Sequence, residues 1–234
     1  MIRNILFDLD GTLLPMDMDE FTGGYFKALV KKAMPYGYDP NELIKTIWAG
    51  VKAMVMNDTN ITNEEAFWNK FAEIYGEDKR KDRVIFDEFY KEDFICAKEF
   101  TGYNPKAKET VEAIKKAGYS VTLATNPIFP ETATVQRVSW TGMSVEDFEY
   151  FTTYENSTSC KPNPKYYLEL LDKLSFKPEE CLMVGNDVEE DMEAGIKAGL
   201  NVFLITDCMI NKNGLDINKY PHGSFDDLKK YLGV

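Results

Sequence analysis

The chain has 234 residues, 44% hydrophobic and 28% charged, and carries a net charge of −12 at neutral pH. That length suffices for one well-filled core, or for a core domain with a smaller companion, while the acidic balance argues against nucleic-acid partners and the lack of any apolar run near ~20 residues argues against a membrane partner. A single histidine, His222, and four cysteines without a C-x-x-C pair exclude a His-rich metal site, Cys–His catalysis and a disulfide framework, so a reducing, cytoplasmic setting is expected.

Residues 2–8 read as a short buried strand, with no signal-peptide pattern ahead of it. Asp8 and Asp10 stand at its C-terminal end, followed by Gly11-Thr12. Positions i and i+2 of a strand point the same way, so the two carboxylates lie side by side. They repel and lose hydration, an arrangement kept where it performs chemistry or holds a cation. Residues 15–100 carry almost no strand signal. Helices are expected over 17–34 and 81–98, and behind Asp39-Pro40, where Leu43, Ile47, Val51 and Met54 recur at helical spacing. Thr62-x-x-Glu65 is a capping box ahead of Phe67, Phe71 and Ile74. The aromatic side chains here (Tyr25, Phe26, Trp48, Phe67, Trp68, Phe71, Phe86, Phe89 and Tyr90) are expected to form the core of this helical segment rather than a ligand cage.

From residue 104 the pattern changes. Strands are expected at 119–125, 148–153, 181–185 and 201–206, several of them apolar on both faces, as in parallel sheets covered by helices. Helices are expected from Asn104-Pro105 to Gly118, over 164–174, over 192–198 and over 225–232, with His222 in a surface turn. The order predicts an α/β, doubly wound parallel sheet with a second, smaller all-helical domain. The core domain comprises 1–14 and 101–234, the helical insert 15–100, and the hinges lie at 14–17 and 100–103. An insert placed there hangs over the carboxyl ends of the strands, where such sheets bind ligands.

Four pieces then fall at or just beyond strand ends: Asp8-Leu9-Asp10-Gly11-Thr12; Thr125 with Asn126; Lys161 in Ser159-Cys160-Lys161-Pro162; and Gly185-Asn186-Asp187-Val188-Glu189-Glu190-Asp191. In this order, with an insert after the first, they resemble the haloacid dehalogenase (HAD) superfamily with a C1-type helical cap on its Rossmann-like core, in its phosphatase branch. The resemblance implies a magnesium-dependent hydrolase of a small organic phosphate acting through an aspartyl-phosphate. Asp8 is the implied nucleophile, and Asp10 the acid that protonates the leaving oxygen and then activates water. Thr125, Asn126 and Lys161 are the implied phosphate ligands. Asp8, the carbonyl of Asp10 and the Asp187 region would hold Mg2+. Counting back from Asp191 favours Asp187 as the direct ligand, with Asn186 the competing choice and Asp191 an outer partner. On the residues alone, Asp8, Asp10, Asp187 and Asp191 are expected to meet at one sheet edge, a cluster untenable without cations.

Related chemistries on the same fold are a dehalogenase, a sugar phosphomutase and a phosphonate hydrolase that forms a Schiff base with a cap lysine, for which Lys27, Lys31, Lys45 and Lys52 are available. A binding protein with a vestigial site is the non-enzymatic reading. The substrate and the oligomeric state have no sequence signature.

Overall fold

The structure, a computed structural model, describes residues 1–234. Strand β1 (Asn4–Phe7) is followed by four α-helices, α1 (Met18–Ala33), α2 (Pro40–Val55), α3 (Asn63–Tyr75) and α4 (Arg83–Glu88). Then come α5 (Pro105–Lys116), β2 (Ser120–Leu123), α6 (Glu131–Trp140), α7 (Pro164–Leu174), β3 (Cys181–Gly185), α8 (Ala194–Lys197), β4 (Asn201–Ile205), β5 (His222–Gly223) and α9 (Phe225–Leu232). The five strands form one sheet in the order β2-β1-β3-β4-β5, every pair parallel. This is the doubly wound α/β architecture the apolar runs predict. No helix is long and apolar enough to cross a membrane.

The register sets the site. Phe7 is level with Leu123 on one side and Val184 on the other. The residues that follow, Asp8, Ala124-Thr125 and Gly185-Asn186, therefore emerge together at the carboxyl ends of three adjacent strands. The Asp8 amide donates to the Val184 carbonyl at 2.9 Å, and the Ala124 amide to the Phe7 carbonyl at 2.7 Å.

Residues 18–100 contribute helices and no strand to the sheet. An antiparallel bridge between Met16 and Thr101, with the Gly102 amide donating to the Pro15 carbonyl at 2.6 Å, ties the two ends of the segment together. One continuous apolar cluster runs from Ile5, Phe7 and Leu123 of the sheet to Phe21, Phe71 and Phe94 of the helices, and a second covers the other sheet face around Tyr166, Tyr167 and Met192.

Three elements differ from expectation. Residues 148–153 make only an isolated bridge, Leu123 to Phe151. Three backbone bonds still run to β2, while the Asn156 side chain donates to the Phe151 carbonyl and accepts from the Thr153 amide on the outer side, taking groups a further strand would pair. The fifth strand is instead β5, and it takes His222 out of its expected turn. Residues 81–98 do not form one regular helix. After α4 comes a π-helical turn, Phe89–Asp93, and then a 3-10 stretch, Phe94–Phe100. The wider turn lets Phe89 and Phe94, five residues apart, both bury completely.

Candidate active site

Asp8 ends β1 almost fully buried, at 7% exposure. Lys161 Nζ donates to its Oδ1 at 2.9 Å, and Thr12 Oγ1 donates to its Oδ2 at 3.1 Å. The same ammonium group donates to Asp191 Oδ1 at 2.6 Å, so one buried lysine bridges two buried carboxylates. Burial pushes the Asp8 carboxyl up to about 7 against the pull of Lys161, with Asp191 and Asp10 adding to the rise. Burial opposes the charge on Lys161, but Asp191 and Asp8 outweigh it and hold its pKa well above the ordinary value.

The Gly11 turn brings the next partner close. Its φ is +83°, and a Cβ there would sit 2.3 Å from Asn186 Nδ2, so a glycine is required on both counts. Thr12 Oγ1 also lies 3.0 Å from Asn186 Oδ1, so the Asp8 carboxylate and the Asn186 amide oxygen share one hydroxyl. Asn186 Nδ2 donates to the Cys208 carbonyl at 2.6 Å, which fixes the amide orientation and aims the oxygen at the site. Gly185 serves Asp191 similarly: a Cβ would lie 2.1 Å from Asp191 Oδ2.

Asp187 is used differently. Its Oδ1 accepts from the amides of Glu189 and Glu190 at 2.8 and 2.9 Å, capping a π-helical turn, Val188–Glu193, that leads into α8. The helical segment thus begins four residues earlier than its apolar spacing predicts. Of the two competing positions, Asn186 shares the Thr12 hydroxyl with Asp8, whereas Asp187 has one carboxylate oxygen taken by the cap. The four carboxylates stand at one sheet edge with separate partners. Asp8 and Asp191 meet across Lys161, Asp187 caps a helix, and Asp10 turns to another cation. No three His, Cys, Asp or Glu side chains are grouped to hold a metal, so the oxygen donors around Asp8 are of mixed type.

Thr125 is buried beyond β2, and its carbonyl is anchored by Thr152 Oγ1 at 2.7 Å and Tyr166 OH at 2.9 Å. Asn126 Nδ2 donates to Glu190 at 2.9 Å, while its Oδ1 is buried without a partner. With the amide so committed, the Asn126 side chain presents an acceptor rather than a donor. Burial raises the Glu190 carboxyl to about 7.

A family model for haloacid dehalogenase-like hydrolases matches residues 2–199, which takes in Asp8, Asp10, Thr125, Asn126, Lys161, Asn186, Asp187 and Asp191. The chain belongs to that family. Its sequence is 30% identical over 206 residues to a phosphoglycolate phosphatase of Aquifex aeolicus, covering 87% of this chain and 84% of that one. It is 27% identical over 233 residues to the pyrophosphatase PpaX of Bacillus cereus, covering 100% and 96%. In structure it resembles a HAD phosphatase from Thermococcus onnurineus (TM-score 0.60, 20% identity, 99% and 98% covered) and a 2-haloacid dehalogenase from Pseudomonas syringae (TM-score 0.64, 18% identity, 100% and 99% covered). The chain is an enzyme of the phosphatase kind within this family.

In this HAD-family site one residue had no sequence signal. Arg137, on α6, is completely buried and pairs through its guanidinium with Asp10 Oδ2. Phe129 lies against it, with the Arg137 Cζ 4.3 Å from the ring centroid. Nothing in the linear pattern connects residue 137 with residue 10. Asp10 Oδ1 is buried with no partner. The pair therefore fixes one oxygen of Asp10 and leaves the other free. With Asp10 in the acid role that the motif implies, Arg137→Met should lower kcat by about 100-fold with KM little changed, because displacing a proton donor costs rate rather than binding. Steady-state kinetics check this; a rise in KM at constant kcat would refute the assignment.

Proposed function

We propose that this chain is a magnesium-dependent phosphomonoesterase that works through an aspartyl-phosphate on Asp8, with residues 1–14 and 101–234 as the core and 15–100 as a cap over the site. The observation that carries it is the buried Asp8 carboxylate, flanked by Lys161 and by a hydroxyl it shares with the Asn186 amide oxygen. The cap lysines Lys27, Lys31, Lys45 and Lys52 are all exposed, which leaves the Schiff-base alternative without a buried amine.

The donor set suits a hard cation: a carboxylate whose pKa burial raises to about 7, an oriented amide oxygen, and the Asp10 backbone. Asp8, the Asp10 carbonyl and Asn186 would hold Mg2+, with Asp191 behind them. Bound there, the ion supplies positive charge to the phosphoryl oxygens. The chain's own residues do the rest. An Asp8 oxygen bonds to phosphorus as the bond from phosphorus to the alcohol oxygen breaks, and Asp10 Oδ1 delivers the proton to that oxygen. Lys161 and Thr125 hold the phosphoryl group. Asp10 then takes a proton from the water that attacks phosphorus, releasing inorganic phosphate and restoring Asp8.

Activity on phosphomonoesters should vanish with EDTA and return with Mg2+. Asn186→Ala should raise the Mg2+ requirement about tenfold or more, whereas Asp187→Ala should chiefly cost about 1 kcal/mol of stability through the lost helix cap. A Mg2+ titration of both variants decides; a larger shift in Asp187→Ala returns the ligand role to Asp187. Since Mg2+ needs the ionised form of Asp8, apparent Mg2+ affinity should climb with pH up to about 7 and then level off.

A further inference from the structure

The aromatic packing of the helical segment is incomplete. Between α1, α2 and α3 on one side and the loop after β2 on the other lies a cavity of about 100 Å³. Fifteen of its seventeen lining residues are hydrophobic and none is charged. It adjoins the catalytic residues by two routes. Phe129 in its wall carries the Arg137 guanidinium that pairs with Asp10. Ile128, also in its wall, follows the Asn126 turn, in which the Ile128 amide donates to the Asn126 carbonyl at 2.9 Å. Trp48, 51% exposed, borders the cavity from α2, so it reaches the surface. The Tyr25 and Tyr90 hydroxyls within it bond to each other at 2.5 Å, and the wall carries no charge, its unpartnered polar group being the buried Trp68 indole N–H.

We infer that this cavity receives the apolar tail of the substrate alcohol, so that the enzyme acts on phosphate monoesters of short aliphatic alcohols and discriminates against esters with an anionic leaving group. The inference rests on the phosphatase reading above. The chemistry of the walls sets the class: a carboxylate or a second phosphate placed here would lose its water and meet no cation in the lining, since Arg137 lies behind Phe129 and is paired with Asp10. The volume sets the size. A molecule of liquid water takes ~30 Å³ and a cavity of ~150 Å³ holds benzene, so roughly three or four carbons fit. On this point the chain departs from relatives named for phosphoglycolate and pyrophosphate, both of which carry a second anionic group.

The test is a homologous series, methyl to hexyl phosphate, with phosphoglycolate as the anionic match for propyl phosphate. These simple alcohols have similar leaving-group reactivity, so differences report binding in the transition state. kcat/KM should rise about three- to fourfold per methylene, or about thirty- to sixtyfold from methyl to butyl, and then flatten. Phosphoglycolate should be slower than propyl phosphate. Val51→Phe and Leu29→Phe, which fill the cavity from different helices, should erase the rise while leaving methyl phosphate unchanged; having both guards against one failing to fold. A flat series, or a preference for phosphoglycolate, overturns the inference. Binding of methyl- and butylphosphonate to the wild-type protein and Val51→Phe, measured by calorimetry with Mg2+ present, separates the two levels. If butylphosphonate binds more tightly only in the wild-type protein while no ester is hydrolysed, the pocket stands and the phosphatase reading falls. Equal affinities with intact hydrolysis have the opposite meaning.

Discussion

Asp8→Asn abolishes turnover, by about 10⁴-fold or more, and at the same time leaves the metal-free protein as stable as the wild type or more so above pH 7. The first effect follows from the nucleophile role proposed for Asp8. The second follows from its environment. Burial raises the Asp8 carboxyl from 3.8 to about 7, so the folded protein holds a proton that the unfolded chain has released. Stability therefore falls as pH rises from about 4 to about 7, and above that window the folded state carries the full cost of the ionised group. Asparagine removes that cost, and Lys161 keeps its other partner, Asp191. Hydrolysis assays and thermal melts at pH 8 without Mg2+ test both halves. Residual activity of even one part in a hundred removes Asp8 from the nucleophile role, and a melting point several degrees below wild type contradicts the electrostatic account.

Lys161→Met has the largest expected effect on stability. It leaves the Asp8 and Asp191 carboxylates buried together with no cation, and breaking such an arrangement costs about 3–5 kcal/mol. The loss should shrink at acid pH, where protonation relieves the repulsion, and the variant should have no measurable activity at pH 8. Urea denaturation at pH 8 and pH 5 reads the difference. A penalty below about 1 kcal/mol at pH 8 would mean that the pairing contributes little.

How far the sequence reports this site depends on how local each signal is. Asp8, Asp10, Gly11 and Thr12 lie within five positions, and the turn that joins them uses only their own backbone, so the motif is legible at a glance. The strand registers follow from apolar runs, and so three of the four site segments are legible as strand ends. Lys161 is legible only through its motif, since its partners lie 153 and 30 residues away. Arg137 is not legible at all: its pairing with Asp10 spans 127 residues and arises only when α6 packs beside the turn after β1. Asp187 and Asn186 show a subtler limit. Both are oxygen donors at adjacent positions, and what separates them is which one the following helical turn consumes as a cap. The turn starts earlier than the apolar spacing implies because the cap holds the amides of Glu189 and Glu190, so that Val188 alone among its first three residues carries an apolar signal. At 148–153 the segment does lie along β2 through three backbone bonds, and a single amide side chain, Asn156, intercepts the groups on its outer side.

That interception has a consequence beyond the fold. A parallel sheet this small has two open margins, and an open margin is a template for a second chain to add strands. On the β2 side the segment around Phe151 covers the margin through the bonds from Glu149 to Val121, Leu123 to Tyr150 and Thr152 to Leu123, while Asn156 occupies groups on its outer side. On the other side β5 is two residues long and passes at once into the Ser224 cap of α9. Both borders are shortened in this way, which limits the run of free amides and carbonyls that a neighbouring molecule could pair with.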